Sequence, residues 1–349
     1  MADNKKLKEQ IKELRENMKS REDWAIFLGA GASADSEFPT MRKLTTLVLE
    51  EIKEDKKFLL IKEIVNVLGK RKDETINIED VLNVCYQLLN VIKDKQDIKI
   101  EYRNIKSITE EQINNSITKI QEICFRECLK DYDLDNHYKF LKFWFGGRGK
   151  IDIFTTNWDF LIEKASDKLI KLDDEDVRCV DGFKGNYSKI LDLSLFDEEI
   201  KNEKGYIKRI NLYKLHGAVN WILEGEKIVM SNNTEAVDKK SVMIFPTPQK
   251  YQEVLGFPYI ELLRRFSNII ENECKYLLVI GYRFQDGHIN NIIKQALKKP
   301  SFNLYIVDID TRIKGLCLVP LFGEHKQIRE PINMRFKDFI EKISGENTE

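Results

Sequence analysis

Apolar positions change their spacing several times along the chain, and each change marks a predicted element. Leu7, Ile11, Leu14 and Met18 recur at helical intervals, which predicts an amphipathic helix with a narrow apolar stripe. That stripe either packs on its own domain or forms part of a subunit contact. A continuous apolar run of strand formers, Trp24 to Leu28 (WAIFL), then meets a glycine turn, Gly29 to Ser33 (GAGAS). A helix is expected after Pro39. Strand, glycine turn and helix in that order open a dinucleotide-binding type of fold.

The pattern turns helical from about residue 44 to 146, a stretch without proline and almost without glycine. VLNVCYQLLNVI (81–92) and INNSITKIQEICFRECL (113–129) show it best, and NIEDVL (77–82) has a capping-type start with acids in its first turn. We expect an all-helical insertion here, with KDETIN and the Lys93–Lys106 stretch as solvated connections.

Strand-like runs then return. KIDIFTTN (150–157) precedes the helical DFLIEKASDKLI (159–170), and NLYKLHG (211–217) follows. WILEGEKIVM (221–230) reads as a hairpin turning near Gly225. SVMIFP (241–246) leads to a helix at about 258–272, YLLVIGY (276–282) to one at about 286–298, and NLYIVDI (303–309) is a further strand. INMRFKDFIEKI (332–343) is expected as a closing helix. Continuous apolar strands alternating with helices predict the α/β class, a parallel sheet covered on both faces. The expected division is an N-terminal helix (1–22), a sheet domain (23–43 and 147–330), a helical insertion (44–146), and a C-terminal helix and tail (331–349).

Composition narrows the picture only a little. The 349 residues are 42% hydrophobic and 33% charged, an ordinary globular balance. Lys and Arg (57) offset Asp and Glu (58), so the net charge of −1 indicates no direct attraction to nucleic acid. No apolar run approaches a membrane span, and the first residues lack the apolar core of a signal peptide; a cytoplasmic location is expected. Six scattered cysteines contain no CxxC pair. Cys124 and Cys128 stand a helical turn apart without a second pair nearby, so core thiols are expected and no metal.

Candidate chemistry sits at strand ends. Gly29 and Gly31 allow a sharp turn and close approach to a pyrophosphate, with helix amides behind them; the same turn also serves as a plain tight connection. Asn157, after KIDIFTT, can bond a ribose hydroxyl or hold a water, and Asp159 can do the same or cap a helix. His216 follows another strand; its ordinary pKa of about 6.5 suits proton transfer, although a lone histidine is more often structural. GYRFQDGHIN (281–290) is a further glycine junction, where Asp286 can cap the helix and backbone amides can meet an adenosine. Asp308 ends another strand, either on ribose hydroxyls or facing the loop.

Taken in order, GAGAS, TTNWD, LHG, GYRF and VDID resemble the NAD-binding signature of the sirtuin family, spread over about residues 24–310. The resemblance implies a Rossmann-like sheet, NAD as a substrate, and Asn157 and His216 as the catalytic pair. It also implies NAD contacts from Gly29, Ala30, Gly31, Ala32, Ser33, Arg42, Thr156, Asp159, Gly281, Tyr282 and Asp308. Pro39 and Arg42 fall where that family has a Pro-Asp-Phe-Arg loop, but Thr40 and Met41 replace its Asp-Phe. Tyr282 and Arg283 replace small hydroxyl residues after Gly281. The four-cysteine zinc ribbon of the deacetylase branch is absent, since no cysteine lies between Cys179 and Cys274.

The GYRFQDGHIN form (281–290) and the helical insertion look instead like the bacterial sirtuin-like branch of antiphage defence, whose members hydrolyse NAD. The resemblance thus implies an NAD glycohydrolase that acts as an oligomer or with a separate sensor or activator subunit. NAD-dependent lysine deacylation and NAD or ADP-ribose sensing without turnover are the competing expectations.

Overall fold

The computed structural model describes residues 2–20, 23–39, 41–69, 78–94, 100–102, 105–147, 149–173, 176–199, 201–202, 205–231, 241–243, 256–309 and 318–345. They divide into two compact units, residues 1–38, 131–218 and 256–349, and residues 39–130 with 219–255.

The first unit is built on a seven-stranded parallel sheet. Its strands are β1 (Trp24–Leu28), β2 (Lys150–Thr155), β3 (Val177–Val180), β4 (Lys208–Lys214), β5 (Tyr276–Ile280), β6 (Asn303–Asp308) and β7 (Ile332–Asn333). Their order across the sheet is β7-β6-β5-β1-β2-β4-β3. From β1 the chain builds outward in one direction through β2, β4 and β3, and from β5 in the other through β6 and β7. The strand order therefore reverses between β1 and β5, where open α/β sheets carry a crevice.

The alternation of side chains explains both covered faces. On one face, Trp24, Ile26 and Leu28 of β1 join Ile151 and Ile153 of β2 in one core cluster. Helices α1 (Ala2–Ser20), α3 (Asp135–Phe145), α4 (Leu161–Asp173) and α7 (Phe336–Ser344) cover it with Leu14, Met18, Phe140, Trp144, Phe339 and Ile343. The other face is aromatic. Phe27 stacks near Tyr282 (4.6 Å) and Phe266 (5.7 Å), and Phe154 near Phe266 (4.7 Å) and Tyr213 (4.6 Å). Phe266 belongs to α5 (Tyr259–Asn268), which precedes α6 (Gly287–Ala296).

The stripe of α1 is thus a core element, with Leu14 and Met18 fully buried. Three expectations change. A short helix, α2 (Ala30–Ala34), forms directly in the alanine-rich glycine turn, before the helix that starts at Met41. The segment expected as one closing helix begins as an edge strand, Ile332 pairing with Val307. The helix at 135–145 belongs to the first unit rather than to the insertion.

The second unit contains helices Met41–Glu51, Leu59–Gly69, Ile78–Asp94 and Glu110–Leu129. Thr109 and Gln112 form a reciprocal capping box (3.2 Å each way) at the start of the last. This unit is not all-helical. Ile100–Tyr102 and Ile105–Ile108 pair as an antiparallel hairpin within the stretch expected as a solvated connection. Trp221–Glu224 pair with Lys227–Met230 around Gly225 (φ 62°), the expected hairpin. Cys85, Cys124, Cys128 and Cys274 are buried and outside any disulfide among the described residues, and burial pushes the Cys85, Cys124 and Cys274 thiols up to about 12. They are core thiols. Cys317, Asn77 and residues 244–246 lie outside the described residues.

Candidate active site

Two loops cross at the reversal point. Gly29 N–H donates to the Ile280 carbonyl and Gly31 N–H to that of Gly281, both at 2.9 Å, so the pairing of β1 with β5 continues beyond the strands. The approach is close enough to demand glycine on both sides. A Cβ on Gly29 would lie 2.5 Å from the Gly281 oxygen, and one on Gly31 2.6 Å from the Gly281 Cα. Gly281 has φ 63°, and a Cβ there would lie 2.5 Å from the Ala32 nitrogen. The glycines are therefore required by the loop crossing itself, a reason the sequence did not reveal.

The end of β2 is tied into the same loop. Thr155 Oγ1 donates to the Leu28 carbonyl (2.8 Å) and accepts from Asn157 N–H (2.9 Å). The Asn157 amide donates from Nδ2 to the Gly29 carbonyl (2.9 Å) and to Ser33 Oγ (3.0 Å). Ser33 in turn donates to Asp159 Oδ2 at 2.6 Å, in a buried bond. Asp159 Oδ1 accepts from Leu161 N–H (3.1 Å) at the start of α4, so Asp159 both starts a helix and anchors the network. With Nδ2 committed twice, Asn157 keeps its Oδ1 as an acceptor without a partner among the described residues.

Beneath this network lies an ion pair that sequence reasoning missed, with its lysine buried and its glutamate half-buried. Lys214, at the end of β4, donates to the Asp159 carbonyl and pairs with Glu163 at 2.8 Å. Burial raises the Glu163 carboxyl, opposed by the Lys214 charge. Burial likewise pushes His137 down to about 4, so its ring is neutral, 3.4 Å from Ser36 Oγ.

His216 comes next in register. Thr155 pairs with Lys214, and Leu215 N–H donates to the Thr155 carbonyl at 2.8 Å. Asn157 and His216 thus leave the same edge of the sheet from adjacent parallel strands. His216 is buried, and its Nε2 lies 3.2 Å from Nε2 of His288, so one ring supplies the proton between them. His288 is on the first turn of α6.

The loop from Gly281 to Asp286 is held from within. Tyr282 is buried and donates its hydroxyl to Asp286 Oδ2 at 2.9 Å. Asp286 occupies the N-cap position of α6 but makes no side-chain cap bond; its carboxylate serves Tyr282 instead. Phe284 sits in the left-handed region (φ 55°), and its carbonyl accepts from Asn290 Nδ2 at 2.7 Å.

Among the expected binding residues, Gly29, Ser33, Asn157, Asp159 and Gly281 meet in one network. Gly31 and Ala32 line the crossing, Ala30 is exposed beside it, and Thr156 is half-buried between Thr155 and Asn157. Asp308 is buried at the end of β6, across β1 from Asn157 in the strand order. Arg42 lies in the helix Met41–Glu51, with its side chain outside the described residues, as is Thr40.

Strand order, loop crossing and polar strand ends define a doubly wound α/β protein with its candidate site at the reversal point. Within that class, residues 152–310 match the family model of the SIR2-like domain, so this stretch is sirtuin-like. No curated protein sequence matches the chain. Among solved structures it is similar to a Sir2 homologue–NAD complex, at 13% identity and TM-score 0.48, covering 96% of this chain and 93% of that one. It is also similar to a mutant Sir2 homologue with 2'-O-acetyl-ADP-ribose, at 11% identity and TM-score 0.46, covering 96% and 95%.

Proposed function

We propose that this protein cleaves the nicotinamide–ribose bond of NAD with water, giving nicotinamide and ADP-ribose. The observation that carries the reading is the fixing of Asn157 by the Gly29 carbonyl and Ser33, with His216 leaving the adjacent strand end. The SIR2-like match over residues 152–310 supports NAD as the molecule bound.

In this reading Asn157 Oδ1 accepts from a ribose hydroxyl and holds the sugar at the sheet edge. The bond from the ribose carbon to nicotinamide breaks with its electron pair going to the departing nitrogen. The sugar passes through an oxocarbenium-like state, and water adds to it as His216 takes the proton. General-base help of this kind is worth roughly 10²–10⁴-fold. The loop from Gly29 to Ser33, with Ala30, Gly31 and Ala32, lies along the diphosphate. Thr156, Asp159, Gly281 and Tyr282 complete the pocket, and Asp308 takes ribose hydroxyls on the far side of β1.

Biologically, such an activity suits the toxic effector of a bacterial antiphage system, acting as a homo-oligomer or with a separate sensor or activator subunit. Always active, it would deplete its own host.

The test is incubation of the full chain with NAD, alone and with the product of its neighbouring gene, followed by chromatographic separation of products. Nicotinamide and ADP-ribose are expected, with turnover falling by about 10²–10⁴-fold in both Asn157→Ala and His216→Ala. Near-wild-type turnover in either variant would remove that residue from the mechanism. Acetyl-ADP-ribose released from an acetylated peptide would mark a deacylase instead, and tight NAD binding without product would mark a sensor.

A further inference from the structure

His216 is not isolated at the sheet edge. Its Nε2, Nε2 of His288 and a carboxylate oxygen of Asp286 all lie within 4.8 Å of one another. The two ring nitrogens are 3.2 Å apart. A zinc-type ion holds imidazole nitrogens at about 2.0–2.1 Å in a tetrahedron, which separates two such nitrogens by about 3.3–3.4 Å. The pair already stands close to that spacing.

The donor chemistry is right for such an ion. Two imidazoles and one carboxylate form a nitrogen and oxygen set that suits zinc and its neighbours rather than calcium or magnesium. Among the described residues the set supplies three of the four ligands of a tetrahedral site. The carboxylate is oriented from outside the cluster, because Asp286 accepts the Tyr282 hydroxyl at 2.9 Å. Outer partners of this kind fix a ligating group in place. The cluster is half-open, with His216 buried and Asp286 and His288 intermediate, so an ion has a way in. The three ligands come from two loops, after β4 and after β5, which is why cysteine and histidine spacing gave no sign of it.

We propose that His216, Asp286 and His288 bind one divalent transition-metal ion of the zinc type, and that the bound ion switches the site off. The inhibitory half rests on the NAD-cleavage reading above. An imidazole nitrogen coordinated to metal has no lone pair left to take a proton from water. The ion displaces the proton that the two rings share and holds His216 away from its role as base. Metal loss would then release activity.

The experiment separates binding from catalysis. The full chain is stripped with a chelator, desalted and titrated with Co2+, read by the visible absorption of a tetrahedral cobalt centre, then challenged with Zn2+. One equivalent should bind in the wild type. Tyr282→Phe should weaken binding by roughly 10-fold or more, as loss of an outer partner does, and Asp286→Asn and His288→Ala should weaken it at least as much. Absence of a stoichiometric site, or affinity unchanged in both ligand variants, would overturn the site whatever the protein does to NAD.

NAD cleavage is then followed against free Zn2+. Wild-type turnover should fall as the site fills, while His288→Ala, relative to its own metal-free rate, should need at least about tenfold more zinc. Turnover that rises with zinc, or stays constant at full occupancy, would overturn the inhibitory role. A protein that binds cobalt but never cleaves NAD would keep the site and remove both the proposed function and the inhibition built on it.

Discussion

The two units differ in where their charged groups gather, although each has surface pairs and the helical unit also buries Glu63 and Glu127. In the helical unit, Glu51 meets Lys119 (2.8 Å) and Arg126 at the surface, and the Arg126 hydrogen bond holds its carboxyl at about 2. In the sheet unit, polar groups are buried at the strand ends: Lys214, His216, Asp159 and Asp308. Burying such groups is costly unless each finds a partner. Surface pairs therefore reflect solubility and modest local order. Lys214, His216, Asp159 and Asp308 follow or end β4, β2 and β6, on either side of the strand-order reversal.

The largest stability effect expected is at Lys214. Replacing it with Met leaves the Glu163 side chain, 25% exposed, without its partner and should cost about 3–4 kcal/mol in a denaturant titration. A loss under 1 kcal/mol would mean that water reaches the pair and that the contrast between units is weaker than drawn.

A matched pair of glycines sharpens the comparison next. Gly281 and Gly225 have almost the same backbone angle, φ 63° and 62°, but only Gly281 is crowded. Gly225→Ala should cost about 1–2 kcal/mol, the strain of a left-handed residue. Gly281→Ala adds a backbone collision and should cost visibly more, about 2–4 kcal/mol. Equal losses would show that the loop crossing yields easily.

Ser33→Ala comes third. It strips Asp159 of a 2.6 Å bond and Asn157 of an acceptor, and should cost about 1–3 kcal/mol. NAD turnover should fall with it; unchanged turnover would detach Asn157 positioning from the network.

The smallest effect belongs to the surface. Glu51→Gln should cost less than about 1 kcal/mol at neutral pH. Because the folded carboxyl is lowered from 4.5 to about 2, this contribution is present above 4.5 and lost as pH falls through 2. Wild type and variant should converge over that range.

The sheet was legible in the sequence because both of its faces are covered, which leaves long apolar runs such as WAIFL and YLLVI. The placement of Asn157 and His216 just past strand ends was legible for the same reason, as polar residues directly after such runs. The hairpin at 100–108 was misread although Ile98, Ile100 and Tyr102 alternate with charges at a strand period; the surrounding lysines masked it. Lys214 gave no warning, since a lysine near a strand end is usually solvated. His288 and the Tyr282 bond to Asp286 depend on which loops meet, and no local pattern encodes that.

The crossing of Gly29 and Gly31 with Gly281 also bears on how the protein is made. Its halves, Gly29 with Ile280 and Gly31 with Gly281, lie about 250 residues apart in sequence, so the pairing is strongly non-local. A nascent chain emerges from the ribosome with the first glycine loop exposed long before its counterpart exists. The fragment carries Asn157 and His216 but has nothing to close the reversal point. The crossing therefore forms only after residue 281 has emerged, and fragments ending before it should be inert.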